Sequence, residues 1–151
     1  MAFKDVKVTL HHIRNENTGE DPGDELEIYG RFDVGRLVFN PDIGELVSLD
    51  QKNLFDRADD NTVDIPQGQE FPVNSSHQLR INDGEFLQIT GHLSDQDTFG
   101  PNDPLGGMDF RYNFGEIKTQ VVTEEGNQEI LFQESDQRVR VKMSMVVTGQ
   151  G

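Results

Sequence analysis

The chain has 151 residues, enough for one domain with a hydrophobic core and too few for two of ordinary size, so residues 1–151 are predicted to form a single domain. The 13 Lys and Arg residues against 28 Asp and Glu residues give a formal charge of -15, which excludes the basic surface that nucleic-acid binding needs. The lack of cysteine excludes disulfides and thiolate metal sites. No apolar run reaches the roughly 18 residues of a transmembrane segment, so the chain is expected to be soluble.

Most apolar residues alternate with polar ones, which is the pattern of strands that bury one face. In chain order this alternation predicts strands over residues 6–10, 26–34, 36–39, 45–49, 78–81, 86–93, 108–114, 117–123, 129–134 and 137–148. Turn-forming sequences rich in Gly, Pro, Asn and Asp separate these short segments. The pattern therefore predicts an all-β fold, an antiparallel β-sandwich of about eight to ten strands.

Two stretches in the middle of the chain do not follow the alternation. Residues 51–58, QKNLFDRA, are the one segment for which a helix is considered. Residues 56–77 are polar and rich in turn-forming residues, so they are expected to be a long connection across the surface. The four aspartates within 56–64 lack the spacing of an EF-hand loop and are interpreted as solvated.

Acidic residues are concentrated in two loops that border strong strands. Residues 16–27 contain six acids and no basic residue, and residues 92–107 contain Asp95, Asp97 and Asp103, again without Lys or Arg. Two carboxylates about 4 Å apart repel by roughly 4 kcal/mol at an effective dielectric constant of 20, so close packing of these groups requires a counter-charge. Calcium supplies it, because it takes six to eight oxygen ligands from loops of this composition. The alternative is that these side chains make local turns and face solvent.

The stretch 95–106, DQDTFGPNDPLG, resembles the third calcium-binding loop of the C2 domain family. In that loop Asp, one residue, Asp, five residues and Asp are followed by a hydrophobic residue and Gly. Here the positions are taken by Asp95, Asp97, Asp103, Leu105 and Gly106. The resemblance implies a C2-like sandwich in which the three aspartates bind Ca2+ at one end, and it places Phe99 at a loop tip that contacts the membrane.

The first acidic loop, with GDELEIYGRF at residues 23–32, is similar to the family's first calcium loop. Asp24 or Glu25 takes the place of the acid before the strand, and Glu20 or Asp21 that of an earlier acid. The predicted metal ligands are therefore Asp21, Asp24, Glu25, Asp95, Asp97 and Asp103. A long acidic insertion at 50–65 has no counterpart in the family.

The sequence thus predicts a calcium-binding recognition domain that engages anionic lipid headgroups at a membrane surface, or a protein or glycan partner. It is not expected to be an enzyme, because it has neither a nucleophilic cysteine nor a GxSxG motif, and its histidines lack catalytic or metal-ligand spacing. Two alternatives stay open: a protein- or glycan-binding module of a larger secreted protein or toxin in which calcium is a structural staple, and an assembly subunit that binds no metal. The compartment is left undetermined.

Overall fold

The computed structural model describes residues 1–19, 25–97, 102–123 and 129–151. The strands in this part of the chain are β1 (Phe3–Asn17), β2 (Glu25–Asn40), β3 (Glu45–Arg57), β4 (Val63–Pro66), β5 (Glu70–Asn82), β6 (Phe86–Asp95), β7 (Asp103–Asn113), β8 (Gln120–Val121), β9 (Ile130–Glu134) and β10 (Gln137–Gln150). A 3₁₀ turn, Phe114–Glu116, follows β7. No helix in these ranges is long and apolar enough to cross a membrane.

The strands form two sheets, and every pairing between them is antiparallel. One sheet has the order β5-β1-β10-β8, with β9 also paired to β10; the other has the order β3-β2-β6-β7, with β4 also paired to β2. The connection from β1 to β2 passes from the first sheet to the second, whereas β6 and β7 are neighbours in one hairpin. The all-β antiparallel sandwich expected from the sequence is confirmed.

The core lies between the two sheets and is built from the inward positions of the alternating strands. Val6, Val8 and Leu10 of β1 are fully buried, as are the alternate positions of β10 from Val139 to Met145. Phe32 of β2 lies in the middle, where its ring makes edge contacts with Phe55 of β3 and Phe132 of β9. These three rings link strands of both sheets.

The helix considered over residues 51–58 is wrong, because this segment belongs to β3. Its pairing with β2 runs from Glu45 opposite Asn40 to Arg57 opposite Gly30. Two register shifts interrupt this pairing, and the consecutive residues Leu54 and Phe55 are both buried. The irregular register removes the alternation of apolar and polar residues that would have identified a strand.

The long surface connection expected over residues 56–77 is also wrong. After the end of β3 the segment forms β4, which pairs with the start of β2, and most of β5, which pairs with β1. β5 is the outer strand of its sheet in the described order, where Pro72 is tolerated and polar side chains face water. A polar edge strand therefore resembles a loop in amino-acid composition, which is why the sequence indicated a surface connection here.

The start of β1 is fastened to the 3₁₀ turn by a lysine. The Lys4 ammonium group donates to the carbonyl oxygens of Phe114 at 2.7 Å and Ile117 at 2.9 Å, and it lies 4.5 Å from the centre of the Phe114 ring. The group thus satisfies two carbonyls next to the buried side chain of Ile117.

We expect Lys4→Met to lower the free energy of unfolding by about 1–2 kcal/mol, because the apolar stem is kept while both hydrogen bonds are lost. Urea denaturation would measure this loss. Lys7→Met is the matched control, since Lys7 is on the same strand with an exposed side chain. Equal stabilities of the two variants would contradict the proposed fastening.

Candidate metal centre

The described residues that flank the two acidic loops lie at the same end of the sandwich. The start of β2 pairs with both β4 and the end of β6, through Glu25 opposite Pro66 and Ile28 opposite Asp95. Nearby, β2 and β6 approach closely at Gly30, which has φ +144° and where an added Cβ would lie 2.0 Å from the His92 carbonyl oxygen. Only glycine fits this contact, so the strand pairing that positions the end of β6 depends on it.

Asp95 is the last residue of β6, and its side chain is turned into the protein, with 1% of the residue exposed. One carboxylate oxygen accepts a hydrogen bond from the Glu27 backbone N–H at 2.8 Å. The other accepts from the Gln137 side-chain amide at 3.2 Å, at the start of β10. The carboxylate therefore connects three strands, β2, β6 and β10, at the edge of the core.

Asp97 and Asp103 bring two further carboxylates to the same place. Asp103 starts β7 directly opposite Asp95 in the hairpin register, and Asp97 follows the end of β6. One oxygen from each of the three carboxylates can be chosen so that all lie within 4.8 Å of one another. Asp97 and Asp103 are half-buried, so the group has one anchored and two more accessible members.

This arrangement has the chemistry of a site for a hard cation. Carboxylate oxygens are the preferred ligands of Ca2+, and three of them converge within the span of one ion's coordination shell. Their mutual repulsion also makes the site unfavourable unless a counter-charge is near. Within the described residues, these three aspartates are the cluster of acidic or histidine side chains whose ligand atoms are close enough together to hold a metal ion.

The base of the loop is held by a side-chain hydrogen-bond chain. The Asn102 side-chain oxygen Oδ1 accepts from the Asp97 backbone N–H at 3.0 Å, and the side-chain amide nitrogen donates to the Tyr29 hydroxyl at 3.1 Å. Tyr29 lies on β2 opposite Ser94 of β6. The residues that flank the loop are thereby joined to each other and to the neighbouring strand.

A second polar network lies at the same end, beside β4. Asn15 of β1 is fully buried, and its amide donates to the Thr18 hydroxyl and to the Ile65 carbonyl oxygen, each at 2.8 Å. The Thr18 backbone N–H donates to the Gln67 side chain at 3.0 Å. The residues before the first acidic loop are thus tied to the β4 region, although neither Asn15 nor Gln67 stood out in the sequence.

The other predicted ligands differ in what the structure says of them. Glu25 is described and exposed at the start of β2, and it is not a member of the converging group. Asp21 and Asp24 lie outside the described residues, as does Phe99. The full ligand set predicted from the sequence therefore stays a prediction.

His11 and His12, both on β1, have polar partners. The His11 ring is 2.7 Å from the Ser144 hydroxyl, and His12 lies within 4 Å of carboxylate oxygens of Glu70 and Glu129. Burial lowers the pKa of His11, and the positive charge of Lys142 lowers that pKa further. These contacts belong to the outer face of the β1 and β10 sheet.

The alternating cations of β10 lie on that same face. β10 is an inner strand with β1 on one side and β8 and β9 on the other, so its charges do not protect a sheet edge. Arg140 donates to the Glu16 carboxylate, and Arg138 lies 3.6 Å from it. The two arginines therefore neutralise an acid of the chain itself.

Comparisons with known proteins give likenesses of fold but not of sequence. No family model matches the chain, and no curated protein matches it. The C2A domain of a plant extended synaptotagmin 1 aligns with 97% of this chain and 96% of its own length, at a TM-score of 0.44 and 8% identity. A human GIVD cytosolic phospholipase A2, in complex with methyl gamma-linolenyl fluorophosphonate, aligns at a TM-score of 0.42 and 12% identity. This chain spans 18% of the length of that phospholipase chain.

Proposed function

We propose that the chain is a calcium-binding recognition domain, with Asp95, Asp97 and Asp103 as ligands contributed by one hairpin. The observation that carries this proposal is the convergence of three carboxylate oxygens within 4.8 Å. The loop also has the order of acids that resembles a C2 calcium loop. Bound Ca2+ would supply the positive charge that allows the carboxylates to stay close together.

In this proposal the site binds a cation and, once the cation is bound, a partner. Asp95 is held by its hydrogen bonds and fixes one side of the site, while Asp97 and Asp103 are half-buried. Neutralisation of these acids changes the local potential, so that the end of the domain accepts an anionic lipid headgroup or an acidic partner. In this proposal Asp21, together with Asp24 or Glu25, completes the ligand set, and Phe99 contributes an apolar contact.

Millimolar calcium is expected to raise the thermal unfolding midpoint, because a ligand at about 100 times its dissociation constant adds roughly 2.7 kcal/mol. For a domain of this size the rise corresponds to about 5–10 °C. Scanning calorimetry in EDTA and in calcium would measure it. The double substitution Asp97→Asn with Asp103→Asn should abolish the rise.

The matched control is Asp42→Asn with Asp83→Asn, which removes the same charge from two exposed turn residues. This variant should keep the full calcium-dependent rise. Loss of the rise in both double variants, or no rise in the unsubstituted chain, would overturn calcium binding at this hairpin. Flotation with vesicles containing phosphatidylserine, with and without calcium, would then test the partner.

A second candidate function, assembly into a larger particle, is favoured by a different surface. The hairpin formed by the end of β2 and the start of β3 carries exposed apolar side chains: Phe39 at 56%, Ile43 at 58%, Leu46 at 38% and Leu49 at 44%. Grouped apolar side chains on a surface are typical of interaction sites. A calcium-independent midpoint together with a solution mass above that of the monomer would favour this function.

A further inference from the structure

Strand pairing does not fix the position of Asp97 relative to Asp103. Asp103 is held in the hairpin register opposite Asp95, whereas Asp97 is beyond the end of β6. The Asn102 side chain closes this gap, because its carbonyl oxygen accepts from the Asp97 backbone N–H at 3.0 Å. Asn102 also precedes Asp103 directly, so one side chain ties the two outer acids together.

Tyr29 fixes this tie in space. Its hydroxyl lies 3.1 Å from the Asn102 amide nitrogen, which donates to it. Tyr29 itself is on β2, an inner strand of its sheet, and is paired there with Ser94 of β6. Both Tyr29 and Asn102 are half-buried, which limits competition from water for their hydrogen bond.

We infer that Tyr29 and Asn102 are positioning residues that hold Asp97 beside Asp95 and Asp103 and thereby set the affinity of the site for its cation. This inference rests on the proposed function. Its physical basis is preorganisation: acids already held at the required separation lose less conformational freedom when an ion binds. The tie opposes the repulsion that the charges of the other two acids exert on Asp97.

A purely structural role for the two residues would have a different consequence. In that case their removal would lower the unfolding midpoint and leave the calcium dissociation constant unchanged. A positioning role requires weaker binding at a temperature where the variant is fully folded. Affinity and stability must therefore be measured separately on the same variants.

The experiment uses Tyr29→Phe and Asn102→Ala, with Tyr112→Phe as the matched control. The chain has two tyrosines and no tryptophan, so luminescence of Tb3+ excited through tyrosine reports which tyrosine is close to the bound ion. Tyr112 is nine residues beyond Asp103 on β7, which is roughly 30 Å along an extended strand. Titration of Tb3+ reports proximity, and calorimetric titration with calcium gives the affinity of every variant, including the one that loses its sensitising tyrosine.

We expect Tyr29→Phe to lose most of the tyrosine-sensitised luminescence and to bind calcium about three- to tenfold more weakly, the effect of one lost hydrogen bond. Asn102→Ala should weaken calcium binding at least as much but retain sensitised luminescence at saturation, because Tyr29 is still present. Tyr112→Phe should match the unsubstituted chain in both measurements.

Three results overturn the inference, and the first of them leaves the proposed function intact. Calcium affinities of Tyr29→Phe and Asn102→Ala equal to that of the unsubstituted chain would show that the tie does not act on the site. Loss of sensitised luminescence in Tyr112→Phe rather than Tyr29→Phe would place the ion elsewhere. If the unsubstituted chain binds neither Tb3+ nor calcium, the proposed function fails first and the positioning role fails with it.

Discussion

Phe32→Ala is expected to lower the free energy of unfolding by about 3–5 kcal/mol, the range for removal of a buried aromatic ring. Phe32 is fully buried, and its ring centre lies 6.4 Å from that of Phe55 and 5.8 Å from that of Phe132. Because Phe132 belongs to β9, the substitution removes contacts between the two sheets as well as within one. Urea denaturation at constant calcium would measure the loss.

The lost stability of Phe32→Ala is difficult to recover by local rearrangement, because the neighbouring Gly91 has no side chain that could fill the cavity. The Phe32 ring lies against this residue, and an added Cβ at position 91 would be 2.4 Å from a Phe32 ring carbon. Alanine at position 32 therefore leaves a space between a bare glycine backbone and the two remaining rings. Phe39→Ala is the control on the same strand, since Phe39 is 56% exposed and its removal should change stability by less than about 0.5 kcal/mol. A loss below about 1 kcal/mol for Phe32→Ala would contradict the central position of this ring.

The inner strands could be predicted from the sequence because most of their apolar residues alternate with polar ones. β1 and β10 lie side by side in the middle of their sheet, and their alternate residues, such as Val8 and Val141, are fully buried. β2 and β6 have the same position in the other sheet. In these strands the alternation of apolar and polar residues therefore indicates which side chains face the core.

Two of the outer strands, β3 and β5, could be recognised only in part. β3 contains register shifts and β5 contains Pro72 and the left-handed residue Asn74, so neither keeps a regular period. Their polar residues face water along an edge, which gives them the composition of a turn or an amphipathic helix. Pairing with β2 and β1 decides their structure, and a pairing partner far along the chain is not visible in a local pattern.

Some residues of the candidate site could likewise be predicted from the sequence, and others could not. Asp95 and Asp103 could be brought together from the sequence because they flank one hairpin and are directly opposite each other. Gln137, 42 residues from Asp95, could not be identified, because its role follows from the position of β10 in the opposite sheet. Tyr29 was likewise missed, since one tyrosine in a strand carries no signal of a loop contact. Local order thus predicts the acids, while the groups that hold them come from sheet topology.

Asp95→Ala is expected to lower the free energy of unfolding by about 1–3 kcal/mol in EDTA, although it removes one of three clustered negative charges. Two effects oppose each other. Measured interactions between partly exposed charges are about 0.2–1 kcal/mol each, below the Coulomb energy at an effective dielectric constant of about 20, because water and salt screen Asp97 and Asp103, which are only half-buried within 4.8 Å of Asp95. Hydrogen bonds to a carboxylate contribute about 1.5–3 kcal/mol each, and Asp95 accepts one from Glu27 and one from Gln137. The lost hydrogen bonds outweigh the relieved repulsion.

Two further variants separate the structural role of Asp95 from metal binding. Asp95→Asn keeps an oxygen for the Glu27 N–H, so it should retain most of the stability in EDTA while it loses the calcium-dependent rise. Asp97→Ala relieves repulsion and keeps the backbone N–H that Asp97 donates to Asn102, so its midpoint in EDTA should fall less than that of Asp95→Ala. Calorimetry of the three variants in EDTA and in calcium would measure both effects. Equal midpoints of Asp95→Ala and Asp97→Ala in EDTA would show that Asp95 is not an anchor of the fold. The stabilisation from its hydrogen bonds would then be no larger than the destabilisation from the repulsion of its charge.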